Sequence, residues 1–131
     1  MMSEKPEPGA IGWFDLTVEH GEQIRDFYIQ VTDWTSEDHS MDEYSDYVMK
    51  TPNSDTAVAG ICHARGQNAN FPPQWLMYVQ VADLDVSLKS CLDLGGTVIS
   101  PSRSMGDFGT MAVIQDPAGA VLALTQPPSA D

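Results

Sequence analysis

Trp13-Phe14-Asp15-Leu16-Thr17-Val18 and Leu76-Met77-Tyr78-Val79-Gln80-Val81 decide the fold, because the second hexapeptide restates the first 63 positions later. The same shift lays Thr56-Ala57-Val58-Ala59-Gly60-Ile61 on Gly119-Ala120-Val121-Leu122-Ala123-Leu124. An internal repeat of this size predicts two similar supersecondary units in one domain. Within the first hexapeptide, Phe14, Leu16 and Val18 fall on one side of a strand, and Trp13, Asp15 and Thr17 on the other. Successive side chains of a strand point to opposite faces, so this alternation is a strand signal.

Working outward, residues 10–18 read as a strand and 21–33 as a helix, with Ile24, Phe27, Tyr28 and Val31 at helical spacing. Short strands follow at about 34–41, 44–51 and 55–64. The last two are separated by the turn-rich Lys50-Thr51-Pro52-Asn53-Ser54-Asp55. Arg65 to Pro73 connects the halves. The second half restarts with a strand at 75–82 and a helix at 83–94, whose stripe is Leu84, Leu88, Cys91 and Leu92. Gly95-Gly96 ends that helix, since glycine accepts the left-handed exit conformation. Strands then fall at 97–100, 109–115 and 120–126, the last two joined by Asp116-Pro117-Ala118-Gly119. Each half reads β-α-β-β-β, about 10–65 and 74–127, within one domain over 9–127. Residues 1–8 are expected to be flexible and 127–131 frayed.

With 131 residues and 42% hydrophobic side chains, the chain is sized for one domain with a core of its own. The formal charge of −13, with only six basic residues, argues against nucleic-acid binding, which needs clustered Lys and Arg. It permits a preference for cationic ligands, or simply an acidic surface. No run approaches the roughly 18 apolar residues of a membrane helix. The polar, proline-rich start, Met1 to Pro8, is not expected to act as a signal peptide. Two cysteines, Cys62 and Cys91, are too few for a disulfide framework, so both are expected reduced and the protein cytoplasmic.

The paired βαβββ order, Asp83-Leu84-Asp85 opening the second helix, its Leu94-Gly95-Gly96 exit and Asp116-Pro117-Ala118-Gly119 before the last strand together resemble the vicinal-oxygen-chelate superfamily. That group includes glyoxalase I, bleomycin-resistance proteins and extradiol dioxygenases. Ile24-Arg25-Asp26-Phe27-Tyr28, followed by Asp33-Trp34, resembles its first-half pattern, in which an aromatic pair packs the helix on the sheet. The likeness covers about 10–126. It implies an α+β fold of two half-barrel sheets facing a shared cleft, helices outside, and commonly a homodimer.

Members of this superfamily carry a metal on four inward positions, which fall here on Trp13, Gly60, Leu76 and Ala123. None of these side chains offers a lone pair to a divalent ion. No metal or other cofactor is therefore expected at the positions the resemblance implies. Alternation leaves Trp13, Asp15, Thr17, Leu76, Tyr78 and Gln80 inward, with Val58, Gly60, Cys62, Val121, Ala123 and Thr125 from the closing strands. Aromatic and aliphatic walls with a few polar groups are the usual make-up of a small-molecule pocket. Gly60 and Ala123 leave room where other members place a carboxylate. The alternative is a cleft packed shut, with Trp13 and Tyr78 as its filling.

Asp15 is the sharpest candidate, because aspartate is disfavoured inside a strand. It is either a general base with a raised pKa, or a carboxylate hydrogen-bonded to Tyr78 or Gln80 or facing solvent. The ligand-binding candidates are Trp13, Asp15, Tyr78, Gln80, Cys62 and Arg103. Arg103 belongs to the Gly- and Ser-rich stretch Ser100 to Gly109, read as a loop that either covers the cleft or lies mobile on the surface. Cys62 is a nucleophile only if a base or a helix N-terminus makes its thiolate, and otherwise a small buried filler. His20, His39 and His63 show no short ligand spacing. They read as a helix entry, a solvated edge strand, and a residue turned away from Cys62. Gln74-Trp75 reads as a junction between halves or a dimer contact.

Three functions fit this pattern. The first is a metal-independent protein that binds a small amphiphilic or cationic compound in the aromatic-lined cleft, in the manner of bleomycin-resistance members. The second is a lyase, isomerase or dioxygenase-type enzyme with a displaced metal site or with Asp15 as general base. The third is a dimeric interaction subunit with a filled cleft.

Overall fold

The computed structural model describes residues 7–128. Its strands are β1 (Ile11–Val18), β2 (Thr35–Ser40), β3 (Ser45–Lys50), β4 (Ala57–His63), β5 (Trp75–Gln80), β6 (Thr97–Ser104), β7 (Thr110–Gln115) and β8 (Val121–Gln126). The helices are α1 (Gly21–Thr32) and α2 (Leu84–Asp93), with short 3-10 turns at Gly66–Asn68 and Gly106–Phe108. The protein is α+β, with its described strands in the order β2-β3-β4-β1 in the first half and β5-β8-β7-β6 in the second. β1 with β4 and β5 with β8 run parallel, while β2 with β3, β3 with β4, β6 with β7 and β7 with β8 run antiparallel. Of the ends expected to be flexible or frayed, residues 1–6 and 129–131 lie outside the described residues, while Glu7, Pro8, Pro127 and Pro128 are described.

The described chain forms two compact units, Trp13–Trp75 and the residues flanking it on both sides. The division falls just before Trp13 and just after Trp75, not in the Arg65–Pro73 connection. Local chemistry explains both cuts. Ahead of Trp13, Gly9 N–H donates to Gln80 O (2.7 Å) and Gln80 N–H to Ala10 O (2.8 Å), which ties the entry to β1 into the unit of β5. Trp75 instead belongs with Tyr28 and Trp34. Its ring lies 5.3 Å and 5.8 Å from theirs, and its indole N–H donates to Tyr28 Oη at 3.1 Å. Edge-to-face aromatic contacts add about 0.5–1.5 kcal/mol each beyond area burial. Trp75 is thus half-buried and packed against the core of its own unit.

In the Trp13–Trp75 unit, Leu16, Tyr47, Met49, Ala59 and Ile61 are buried, with Ile24, Tyr28 and Ile29 of α1 packed on them. The helical stripe is narrower than expected: Phe27 and Val31 are 55% and 62% exposed. The exit of α1 is set by Thr32, whose hydroxyl donates to Tyr28 O and accepts from Trp34 N, and by Asp33 in the left-handed region at φ 67°.

In the other unit, Leu84, Ala112 and Leu124 form the core, with Val79, Val81 and Leu88 against them. Asp83 caps α2 by accepting from Val86 N (3.2 Å), and Gln126 Oε1 accepts from Leu84 N (2.8 Å). The expected glycine exit is present: Gly95 has φ 97°, and Gly96 N–H returns to Cys91 O. Leu92, placed on the buried stripe by spacing, is 57% exposed. The stretch Ser100 to Ser104, expected as loop, is strand. It pairs with β7 through register shifts between Val98 and Ser100 and between Ser100 and Arg103. β6 ends the strand order, where a bulge and a proline (Pro101) are tolerated because no outer neighbour needs the missing N–H.

Candidate functional site

Within the Trp13–Trp75 unit, the parallel register of β1 and β4 sets Asp15 beside Gly60 and Thr17 beside Cys62. Asp15 and Trp13, two residues apart, share a strand face, and the indole N–H of Trp13 donates to Asp15 Oδ1 at 2.7 Å. Both are half-buried. A Cβ built on Gly60 would overlap Asp15 Oδ1 and lie 3.3 Å from the Trp13 indole nitrogen. The room expected at Gly60 is therefore not empty. It is taken by a carboxylate that arrives from the neighbouring strand.

Cys62, on the same face two residues beyond Gly60, is pushed well above the ordinary thiol range. Burial is the main cause; the carboxylates of Asp15 and Asp46 and a side-chain hydrogen bond with Asp46 add to it. A thiol held protonated is a poor nucleophile, so the filler reading of Cys62 is the one its surroundings support. Asp46 itself was not singled out from sequence. It is buried, accepts from His63 N (2.9 Å), and lies 3.2 Å from His63 Nδ1. Applying to Tyr44-Ser45-Asp46-Tyr47 the rule that aspartate is rare within strands would have found it.

His63 also abuts α1: a Cβ on Gly21, the first helical residue, would lie 2.8 Å from His63 Nε2. The other histidines are exposed, His20 at the entry to α1 beside Glu19 (3.6 Å) and His39 on β2 at the end of the strand order.

The remaining candidates belong to the unit of β5 to β8. Tyr78 is buried and paired with Ala123. Gln80 is half-buried; its Nε2 would lie 2.6 Å from a Cβ on Gly12, and its Oε1 is buried without a hydrogen-bond partner. Arg103, expected on a loop, is fixed on β6 opposite Met111, with Nη2 3.7 Å from the Met111 sulfur. So the Trp13–Trp75 unit gathers Trp13, Asp15 and Cys62, while Tyr78, Gln80 and Arg103 sit on β5 and β6.

The four positions at which the superfamily holds its metal do not fit one here. Leu76 and Ala123 are 1% and 0% exposed, and Gly60 is covered by Asp15. The register pairs Asp15, not Trp13, with Gly60, and Tyr78, not Leu76, with Ala123. Among the described residues, no three His, Cys, Asp or Glu side chains gather closely enough to hold an ion.

The family model of the glyoxalase-like domain matches residues 13–125. The chain belongs to the glyoxalase-like domain family. With it comes the vicinal-oxygen-chelate superfamily, whose fold the solved structures share. Methylmalonyl-CoA epimerase from Mycobacterium tuberculosis superposes with a TM-score of 0.57 at 13% identity, over 98% of this chain and 94% of that one. The NAD-dependent benzaldehyde dehydrogenase structure from Legionella pneumophila gives 0.55 at 18% identity, over 88% and 98%. At these identities the likeness speaks of fold alone. Among curated proteins, the "Putative glyoxylase CFP32" of Mycobacterium tuberculosis is 30% identical over 119 residues, and the anthracycline biosynthesis protein DnrV of Streptomyces peucetius 28% over 128. The chain spans about half the length of these relatives, 46% in each case.

No helix of the described residues is long and apolar enough to cross a membrane.

Proposed function

We propose that this member of the glyoxalase-like family is a metal-independent small-molecule-binding protein whose ligand is met by Asp15 and Trp13, with Cys62 as a protonated wall beside them. The observation that supports this reading is the carboxylate of Asp15, fixed by the Trp13 indole over Gly60 on a half-buried strand face. A fixed carboxylate next to an aromatic ring accepts a hydrogen-bond donor or an organic cation, and the ring supplies the apolar side. Tyr78, Gln80 and Arg103, which belong to the other unit, are kept as further proposed ligand contacts. Action as a cytoplasmic homodimer is part of the same proposal.

A second reading draws on the same carboxylate. Asp15 stands beside a family ligand position, and a half-buried carboxylate is a group suited to proton transfer, so an enzyme using Asp15 as general base is the alternative.

A ligand-observed NMR screen of small amphiphilic cations against wild-type, Asp15→Asn and Trp13→Leu proteins tests the binding reading. Ligands that bind wild type are expected to weaken by about tenfold or more in Asp15→Asn, the loss of a charge-assisted hydrogen bond. Asparagine keeps a carbonyl for the Trp13 N–H, so the face stays assembled. Hits that bind both variants as well as wild type would contradict the proposal.

A further inference from the structure

We infer that His63 is a proton-operated latch at the start of α1: the neutral ring fits against Gly21, and a ring that takes a second proton displaces the first turn of the helix. Asp46, on β3, fixes the ring from one side. Its Oδ1 accepts from His63 N–H at 2.9 Å and lies 3.2 Å from His63 Nδ1, and both side chains are largely withdrawn from solvent. A carboxylate only accepts, so Nδ1 carries the proton and Nε2 is the bare nitrogen of the neutral ring. That bare nitrogen faces α1. A Cβ on Gly21 would lie 2.8 Å from Nε2, 3.0 Å from Cε1 and 3.1 Å from Cδ2, so the outer edge of the imidazole presses on the first helical residue.

A second proton goes on Nε2, on the side closed by the helix. The helix start opposes it further, because its free N–H groups carry the positive end of the helix dipole, and His20 at the N-cap gives them no side-chain bond. Tyr44 and Tyr47 flank the imidazole at 5.3 Å and 5.9 Å. Each already holds a cation: Arg65 lies 4.0 Å over Tyr44 and Arg25 of α1 lies 4.6 Å over Tyr47. Arg25 is paired with Asp26 and Glu22, Arg65 with Glu43, and His20 with Glu19, all of them exposed acids. Cys62, which shares Asp46, stays a neutral thiol. Asp46 is therefore the group that attracts a charged ring, while the start of α1 excludes one. Both demands are met when the first turn moves off the ring, which keeps the Asp46 contact and opens Nε2 to water. Histidine is the side chain whose charge ordinarily changes near physiological pH, so a fall in pH is the signal this latch reads. The latch uses none of the residues proposed to meet the ligand and stands apart from that reading.

The test is a titration of the ¹⁵N-labelled full chain from about pH 8 to about pH 5, following the His63 ring nitrogens and the amides of Gly21, Glu22, Gln23 and Ile24 together. The amides are expected to shift with the same midpoint as the His63 ring. Ile24 N–H closes the first helical turn on His20 O at 3.1 Å, and its hydrogen exchange should speed up by about tenfold after correction for the intrinsic pH dependence. His63→Gln should abolish this response and His20→Gln should leave it in place, which separates the ring from the exposed histidine at the helix entry. Should His63→Gln not fold, the match of midpoints in the wild-type protein decides alone. The proposal is overturned if the helix-start amides stay still while His63 titrates, or if their midpoint is that of His20 or Glu22. It is equally overturned if the ring takes no second proton across the range.

Discussion

Gly60 and Cys62 are the residues whose chemistry depends most directly on Asp15. Gly60→Ala places a methyl group where Asp15 Oδ1 stands, so either the carboxylate or the strand must shift. Overpacking of this kind costs about 1–3 kcal/mol. Chemical denaturation is expected to show that loss, and a Gly60→Ala, Asp15→Ala double variant should recover part of it. A Gly60→Ala protein as stable as wild type would mean Asp15 is not held there.

Cys62 carries a pH signature. Its thiol is raised in the folded protein, while the unfolded chain titrates near the ordinary value of about 8.5. The neutral thiol therefore supports the fold fully below that pH, and the support is lost as pH rises above it. Iodoacetamide at neutral pH should leave Cys62 unmodified in the native protein and label it readily in denaturant. Rapid native labelling would contradict the burial that raises the thiol.

At the scale of elements, helix ends can be tested singly. Asp83→Ala removes the cap of α2 and should cost about 1 kcal/mol in thermal or chemical denaturation, whereas Asp83→Asn should cost little. Gly21→Ala drives a methyl group into the His63 ring that Asp46 orients. A loss of about 1–3 kcal/mol is expected, smaller in a His63→Ala background, where the ring is gone. Equal losses in both backgrounds would show that the ring is not the obstacle.

The same scale shows what the sequence made legible. β1 was readable because period-two alternation in a half-buried strand is a local signal, and the 63-residue repeat carried that reading to β4, β5 and β8. α1 was legible from its apolar spacing and α2 from its glycine exit. Ser100 to Ser104 was not readable. Serine and proline there read as loop, and only pairing with β7 through two register shifts makes them strand. Trp75 escaped for a related reason: its partners, Tyr28 and Trp34, lie more than 40 positions away in the chain. At the site, Asp15 announced itself by being an aspartate in a strand. Its position over Gly60 and the buried Asp46 next to Cys62 depend on strand register, which no single segment encodes.

For the whole molecule, the central claim is that a glyoxalase-like chain with Trp13, Gly60, Leu76 and Ala123 at its ligand positions handles its ligand without a metal. The strongest rival is a displaced centre built on Asp15. The decisive measurement is the metal content of protein purified without an affinity tag, together with melting temperatures in Zn²⁺, Ni²⁺, Mn²⁺ and Mg²⁺ for wild type and Asp15→Asn. An ion present at 100 times its Kd would add about 2.7 kcal/mol and raise Tm by several degrees. The account predicts only trace metal and superimposable melts in all four ions. Stoichiometric metal with a rise in Tm that Asp15→Asn abolishes would contradict it.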